Sequence, residues 1–218
     1  MTHIFDIDST VIKKTSAWYF MREALNENVI RFSQIRRLPI DLIRYKFGRP
    51  DMDFIENTVK HLTGISRNDL EKCAAICFER RIKPNIYTEA LKLIREELRG
   101  EKVFFATSSL GVIIRPLEQF FGIEGSLATE LEFRDDITTG RLTGHSLFGT
   151  GKKDAIETWL AHNNLSSKDV CFYSDSYTDL PSLEFSGKAT AVNPDRRLAR
   201  VARKRGWEIL RFSKTLGN

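Results

Sequence analysis

Near its amino terminus the chain reads H3-I-F-D-I-D-S-T-V-I-K-K14, an apolar run interrupted by two carboxylates two positions apart. On an extended strand alternate side chains share a face, so Ile4, Asp6 and Asp8 point one way and Phe5 and Ile7 the other. Carboxylates about 5 Å apart repel by roughly 3 kcal/mol at an effective dielectric of about 20, and desolvation adds to that cost. One reading is a strand running into a turn, with Asp8 and Ser9 as solvated cap residues. The other is that a bound cation and a phosphate require oxygens at those positions.

The rest of the chain supplies a frame for the choice. Ile4–Ile7, Val103–Thr107, Val170–Ser174 and Ala189–Val192 are short apolar segments with helical patterns between them. That order is the mark of a parallel sheet covered by helices on both faces. Thr88 to Leu98 reads as one such helix, with Thr88 as N-cap and Gly100 past its end. A second runs from Lys152 to His162, and a third opens at Asn193-Pro194-Asp195 and closes at Gly206. Residues 16–86 carry no strand pattern and four helical ones: Ser16–Asn26, Ser33–Phe47, Asp51–Leu62 and Arg67–Arg81. The expected fold is therefore α/β, a Rossmann-like parallel sheet formed by residues 1–15 and 87–218, with residues 16–86 as a helical cap inserted after the first strand. The stretch from Thr129 to Gly144 alternates and is rich in turn residues, which predicts a strand followed by a small hairpin.

In an open parallel sheet, ligands bind beyond the carboxyl ends of the strands, near the point where strand order reverses. Asp6 and Asp8 follow the first expected strand. Thr107, Ser108 and Ser109 follow the second, ahead of a helix expected from about Leu110. Ser174, Asp175 and Asp179 follow the third, and Lys152 opens the helix before it. Acids, a hydroxyl with free amides and a lysine on one sheet edge suit a phosphate and a metal ion. Singly, each is more often a cap or a solvated side chain; together they are a specific pattern.

The pattern resembles the haloacid dehalogenase superfamily of phosphatases, in particular the helical-cap subgroup that includes phosphoserine phosphatase. F5-D-I-D-S-T10 is similar to the family's D-x-D-x-T motif, Thr107 to its second motif and Lys152 to its third. S174-D-S-Y-T-D179 is similar to its fourth, G-D-x-x-x-D, with serine in place of the usual glycine. The resemblance implies an enzyme, a Mg²⁺-dependent phosphomonoester hydrolase. Asp6 would be the nucleophile that forms a phospho-aspartyl intermediate, and Asp8 the general acid and base. Mg²⁺ would be held by the Asp6 and Asp175 carboxylates and the Asp8 carbonyl. Thr107 and the Ser108 amide (or the Ser109 amide) would hold the phosphate, Lys152 would neutralise charge and Asp179 would support Lys152. Alternatives on the same resemblance are phosphoserine phosphatase proper, or a phosphotransferase or mutase.

Composition sets the remaining bounds. The 218 residues carry a net charge of +5 and contain no apolar stretch long enough to cross a membrane. Two acids fall where a signal peptide would be apolar, and Cys73, Cys77 and Cys171 are an odd set without metal spacing. The expectation is a cytoplasmic monomer or homodimer acting on a small phosphorylated metabolite, with no membrane partner. Residues 195–218 hold eight Lys/Arg against two acids, which raises a nucleic-acid-binding or end-processing protein as the reading from a different class. Leu198, Val201 and Ala202 at helical spacing weigh toward a solvated amphipathic face instead. Residues 16–86 hold thirteen Lys/Arg against nine acids, with Arg31, Arg36, Arg37, Arg44, Lys46 and Arg49 close together. An anionic substrate steered by the field would explain them, as would the exposed faces of amphipathic helices. Thr15 stands where phosphoserine phosphatases of the family place a glutamate against the substrate's ammonium, which argues against phosphoserine.

Overall fold

The computed structural model describes residues 1–30 and 53–218. The expected helix Ser33–Phe47 and the basic cluster from Arg31 to Arg49 lie outside the described residues. A six-stranded, all-parallel sheet occupies the centre: β1 (Thr2–Phe5), β2 (Lys102–Leu110), β3 (Gly125–Thr129), β6 (Val170–Ser174), β7 (Lys188–Val192) and β8 (Glu208–Leu210), in the order β3-β2-β1-β6-β7-β8. β1 thus lies at the switch point, with β2 on one side and β6 on the other. Between β3 and β6, β4 (Leu131–Arg134) and β5 (Ile137–Leu142) form a separate antiparallel hairpin. Its turn residues Asp135 and Asp136 have φ of 48° and 60°, the left-handed pair that a tight two-residue hairpin turn demands.

Alternation along the strands divides the core in two. Phe5, Phe105, Cys171 and Tyr173 face one side, and Ile4, Ala106, Phe172 and Ala189 the other. The first side is covered by α1 (Ser16–Asn26), α3 (Arg67–Cys77), α4 (Thr88–Lys92) and α5 (Gly111–Phe121). The second is covered by α6 (Thr150–His162), α7 (Leu180–Phe185) and α8 (Arg196–Arg205). A shorter helix, α2 (Asp53–Val59), continues into a 3₁₀ turn at Lys60–Leu62, while α3 and α4 each pass into a π turn, Phe78–Ile82 and Leu93–Glu97. Cys73 and Cys77 are buried in the first core, their thiols pushed up to about 12 chiefly by burial, which suits packing and not ligation. Among the described residues, no helix is long and apolar enough to cross a membrane.

Several boundaries differ from the sequence expectation, each for a local reason. β1 stops at Phe5, although the Asp6 amide still donates to the Tyr173 carbonyl at 2.8 Å. Beyond it the chain turns sharply: the Ile7 carbonyl accepts the amides of Thr10, Val11 and Ile12, and Ser9 takes φ 61°. β2 continues three residues past Thr107, so α5 starts at Gly111 and not at Leu110. α8 starts at Arg196, because the Asp195 carboxylate accepts the Arg197 and Leu198 amides at 2.7 and 2.8 Å and so is the cap. The side chain of Asn193, the expected cap, instead accepts the Phe212 amide at 2.9 Å. Thr88 is the first residue of its helix and not its cap; its hydroxyl turns to Glu89. The exposed cations of α8 surround buried Leu198, Ala199 and Ala202, the arrangement of an amphipathic face.

The segment between α2 and α3 adds backbone pairing to the hairpin. The Gly64 amide donates to the Thr138 carbonyl (2.9 Å), the Thr138 amide to Ile65 (2.9 Å) and the Arg67 amide to Asp136 (2.7 Å). Gly140 makes this approach possible. Its φ is +74°, and a Cβ there would lie 2.0 Å from the Thr63 hydroxyl.

Candidate active site

The three central strands lie side by side, and their carboxyl ends carry the expected residues to one edge of the sheet. Asp6, one residue past β1, is 7% exposed; Thr107, in the terminal stretch of β2, is 1% exposed; Asp175 follows β6 directly. Lys152 joins them from the first turn of α6. A lysine there is expected to reach water, as its neighbour Lys153 does beside Asp154 and Glu157. Lys152 instead is 3% exposed, and its ammonium donates to Asp6 Oδ1 at 2.6 Å and to Asp179 Oδ2 at 2.7 Å. A buried ammonium is tolerated only when paired, and here two carboxylates share it, which raises its pKa against the lowering effect of burial.

The acids outnumber the cation. Burial raises Asp6 to about 7, with Asp179 and Asp8 adding to the rise and Lys152 opposing it. Burial also raises Asp175, to about 8, followed by repulsion from Asp6 and Asp179. Asp8 is raised by burial and eased by hydrogen bonds from Ser16 and Ser109. Asp6 lies against an ammonium, whereas Asp175 has no cation in hydrogen-bond contact among the described residues.

The second motif owes its shape to a bulge. Ala106 pairs with Leu127 and Leu110 with Thr129, so four residues of β2 span what two of β3 span. Thr107, Ser108 and Ser109 are thereby pushed out of the ladder, as bulges beside functional sites often do. The expectation placed these amides at a helix N-terminus; they lie in a strand bulge. The Ser109 amide is occupied, donating to Thr107 Oγ1 at 3.1 Å. That leaves the Ser108 amide as the better candidate for a ligand.

Three serines contribute to this network through contacts that no motif assigns to them. Ser174, in the motif's glycine position, donates its hydroxyl to Asp179 Oδ2 at 2.8 Å and accepts the Ser176 amide at 3.1 Å. Ser16, first in α1, donates its amide to Asp8 Oδ1 at 2.8 Å. Ser109 donates its hydroxyl to Asp8 Oδ2 at 3.1 Å. Small hydroxyl residues are too common for composition to single out; only the fold brings these to the acids. Thr15 is exposed and caps α1 with no side-chain hydrogen bond.

The donor set can be tested against a metal ion. Among the described residues no cluster of three His, Cys, Asp or Glu side chains is placed to hold one. Two carboxylates, Asp6 and Asp175, and the Asp8 backbone carbonyl are all-oxygen donors, and the acids of the site outnumber its lysine. That set fits magnesium, which keeps waters and needs only one or two carboxylates, and fits zinc poorly.

The chain is similar to several known proteins. A phosphoserine phosphatase of Mycobacterium tuberculosis, SerB1, is 29% identical over 214 residues, covering 95% of this chain and 70% of its own. A histidinol-phosphatase of Neisseria meningitidis is 30% identical over 223 residues, covering 96% and 97%. A crystal structure of a protein of unknown function from Bordetella pertussis superposes with a TM-score of 0.86 at 28% identity, covering 96% of this chain and 97% of its own. Residues 4–184, from β1 through Lys152 and Asp175 to α7, match the family described as haloacid dehalogenase-like hydrolase, and the chain belongs to that family.

Proposed function

We propose that the protein is a magnesium-dependent phosphatase that hydrolyses a small phosphomonoester through a phospho-aspartyl intermediate on Asp6. The single observation that carries this reading is the buried Lys152 shared between Asp6 and Asp179 at the switch point of the sheet. The Lys152 ammonium orients the nucleophilic carboxylate and opposes the upward push of burial on it, and the same ammonium can neutralise an arriving phosphate.

Asp6 attacks phosphorus; its carboxylate oxygen forms the new bond as the ester oxygen leaves. Asp8 gives that oxygen a proton and, as a carboxylate, then takes one from the water that cleaves the acyl phosphate. Thr107 and the Ser108 amide hold phosphate oxygens, and Asp179 keeps Lys152 in place. Magnesium, held by the Asp6 and Asp175 carboxylates and the Asp8 carbonyl, supplies charge neutralisation at the phosphoryl group when bound.

The substrate class follows from chemistry shared by the named relatives. Phosphoserine and histidinol phosphate are both phosphate esters of a primary alcohol with an amine on the adjacent carbon. Thr15, in place of the family's glutamate, weighs against phosphoserine itself. The test is phosphate release with Mg²⁺ from histidinol phosphate, phosphoserine, sugar and glycerol phosphates, phosphocholine and nucleotides, with mass spectrometry to locate a trapped phosphate. Asp6→Asn should abolish turnover with the fold intact. Undiminished release by Asp6→Asn, or phosphate trapped on another residue, would overturn the reading.

A further inference from the structure

Asp8, like Asp175, has no cation in hydrogen-bond contact among the described residues. Lys152 is hydrogen-bonded to Asp6 and Asp179, not to Asp8. Two neutral donors hold Asp8 instead, one on each oxygen: the Ser16 amide on Oδ1 (2.8 Å) and the Ser109 hydroxyl on Oδ2 (3.1 Å). The two serines also touch each other, Oγ to Oγ, at 2.6 Å, and both are buried, Ser16 fully and Ser109 to 6% exposure.

Proton counting gives the contact a direction. An ionised carboxylate only accepts, so the Ser109 proton goes to Asp8, and the Ser16 hydroxyl proton must fill the 2.6 Å contact. The chain runs Ser16 Oγ–H to Ser109 Oγ–H to Asp8 Oδ2. The Ser16 amide can only donate, so Oδ1 remains an acceptor in both protonation states of Asp8. The amide on Oδ1 thereby favours Oδ2 as the proton-bearing oxygen, the proton taking its second lone pair while the Ser109 hydroxyl occupies the first.

We infer that Ser109 and Ser16 are positioning residues for Asp8. They set the oxygen that delivers the proton and make that setting depend on docking of α1 at its first residue. This rests on the acid–base role of Asp8 proposed above. As the Asp6–phosphorus bond forms and the ester bond breaks, the proton passes from Asp8 Oδ2 to the leaving oxygen. The resulting carboxylate is the state for which both donors are arranged. One partner comes from the bulge of β2 and the other from α1, so movement of α1 away from the sheet edge would release both the amide on Oδ1 and the hydroxyl behind Ser109.

The test compares kcat/KM for an alkyl phosphate, whose alkoxide needs a proton, with that for p-nitrophenyl phosphate, whose phenolate leaves without one. Ser109→Ala should lower the alkyl value about tenfold or more and the aryl value less than about threefold. Ser109→Thr, which keeps the hydroxyl, should restore the alkyl value. Ser16→Pro should reproduce the alkyl-selective loss. Proline suits the first helical position, and Thr15, at φ −106° and ψ 133°, already has the conformation that precedes it. Ser16→Ala, which removes only the hydroxyl, should cost less than Ser16→Pro. Equal losses on both esters, or no rescue by threonine, would overturn the inference while leaving the phosphatase reading intact. A wild-type protein that hydrolyses neither ester with Mg²⁺ would overturn both.

Discussion

The Lys152 ammonium lies 2.6 Å from Asp6 and 2.7 Å from Asp179, and all three side chains are almost wholly removed from water. Taking the lysine away leaves two buried carboxylates with no cation, a far larger penalty than the net worth of the pair. Lys152→Ala should destabilise the fold by about 3–5 kcal/mol at pH 8 and eliminate turnover. The stability loss should shrink at pH 5, where the abandoned carboxylates can protonate. Denaturant unfolding of both proteins at the two pH values checks this, and a loss independent of pH would contradict it.

Stability of the metal-free protein should fall as pH rises from 5 to 9. Asp6 and Asp175 are raised to about 7 and about 8 in the fold, from 3.8 otherwise. The folded state therefore binds more protons than the unfolded chain in that window, and stability declines with pH. The favourable contribution is fully present below the unfolded value and is gone above the folded one. Added Mg²⁺ should raise Tm more at pH 8 than at pH 5.

Asp175→Asn separates the metal response from the fold. Removing a half-buried, repelled carboxylate should raise Tm of the metal-free protein at pH 8 and abolish the increase on adding Mg²⁺. A variant that keeps the wild-type magnesium response would exclude Asp175 from the metal set.

Ser174 stands where the family's motif has glycine, and its hydroxyl bonds Asp179. Ser174→Gly should lower stability by about 1–2 kcal/mol and reduce kcat a fewfold through a looser Asp179, leaving KM nearly unchanged. Chemical denaturation with steady-state kinetics measures both.

Gly140→Ala should cost about 1–2 kcal/mol, because its φ is +74° and the new Cβ would meet Thr63. Faster hydrogen exchange at the Gly64 and Arg67 amides, with exchange at β1 unchanged except through global unfolding, is the expected signature.

Much of this molecule was legible in its residues. Short apolar runs located β1, β2, β6 and β7, with acids after β1 and β6 and hydroxyls near the end of β2, and the helix Ser16–Asn26 was read residue for residue. Those signals are local: side-chain period, caps and turn residues act over a few positions and need no partner. β3, G125-S-L-A-T129, and β8, E208-I-L210, were missed as strands of the sheet, because short, half-buried edge strands have little apolar pattern of their own. The sequence by itself determined the parallel α/β core and which acids, hydroxyls and lysine stand at its strand ends. Only the tertiary structure decided that Lys152 is buried between two acids, that the Thr107–Ser109 stretch bulges from β2, and that Ser16 meets Ser109 over Asp8. Those facts depend on contacts between residues 19 to 146 positions apart, and their distances arise only when the sheet closes and α1 packs against it.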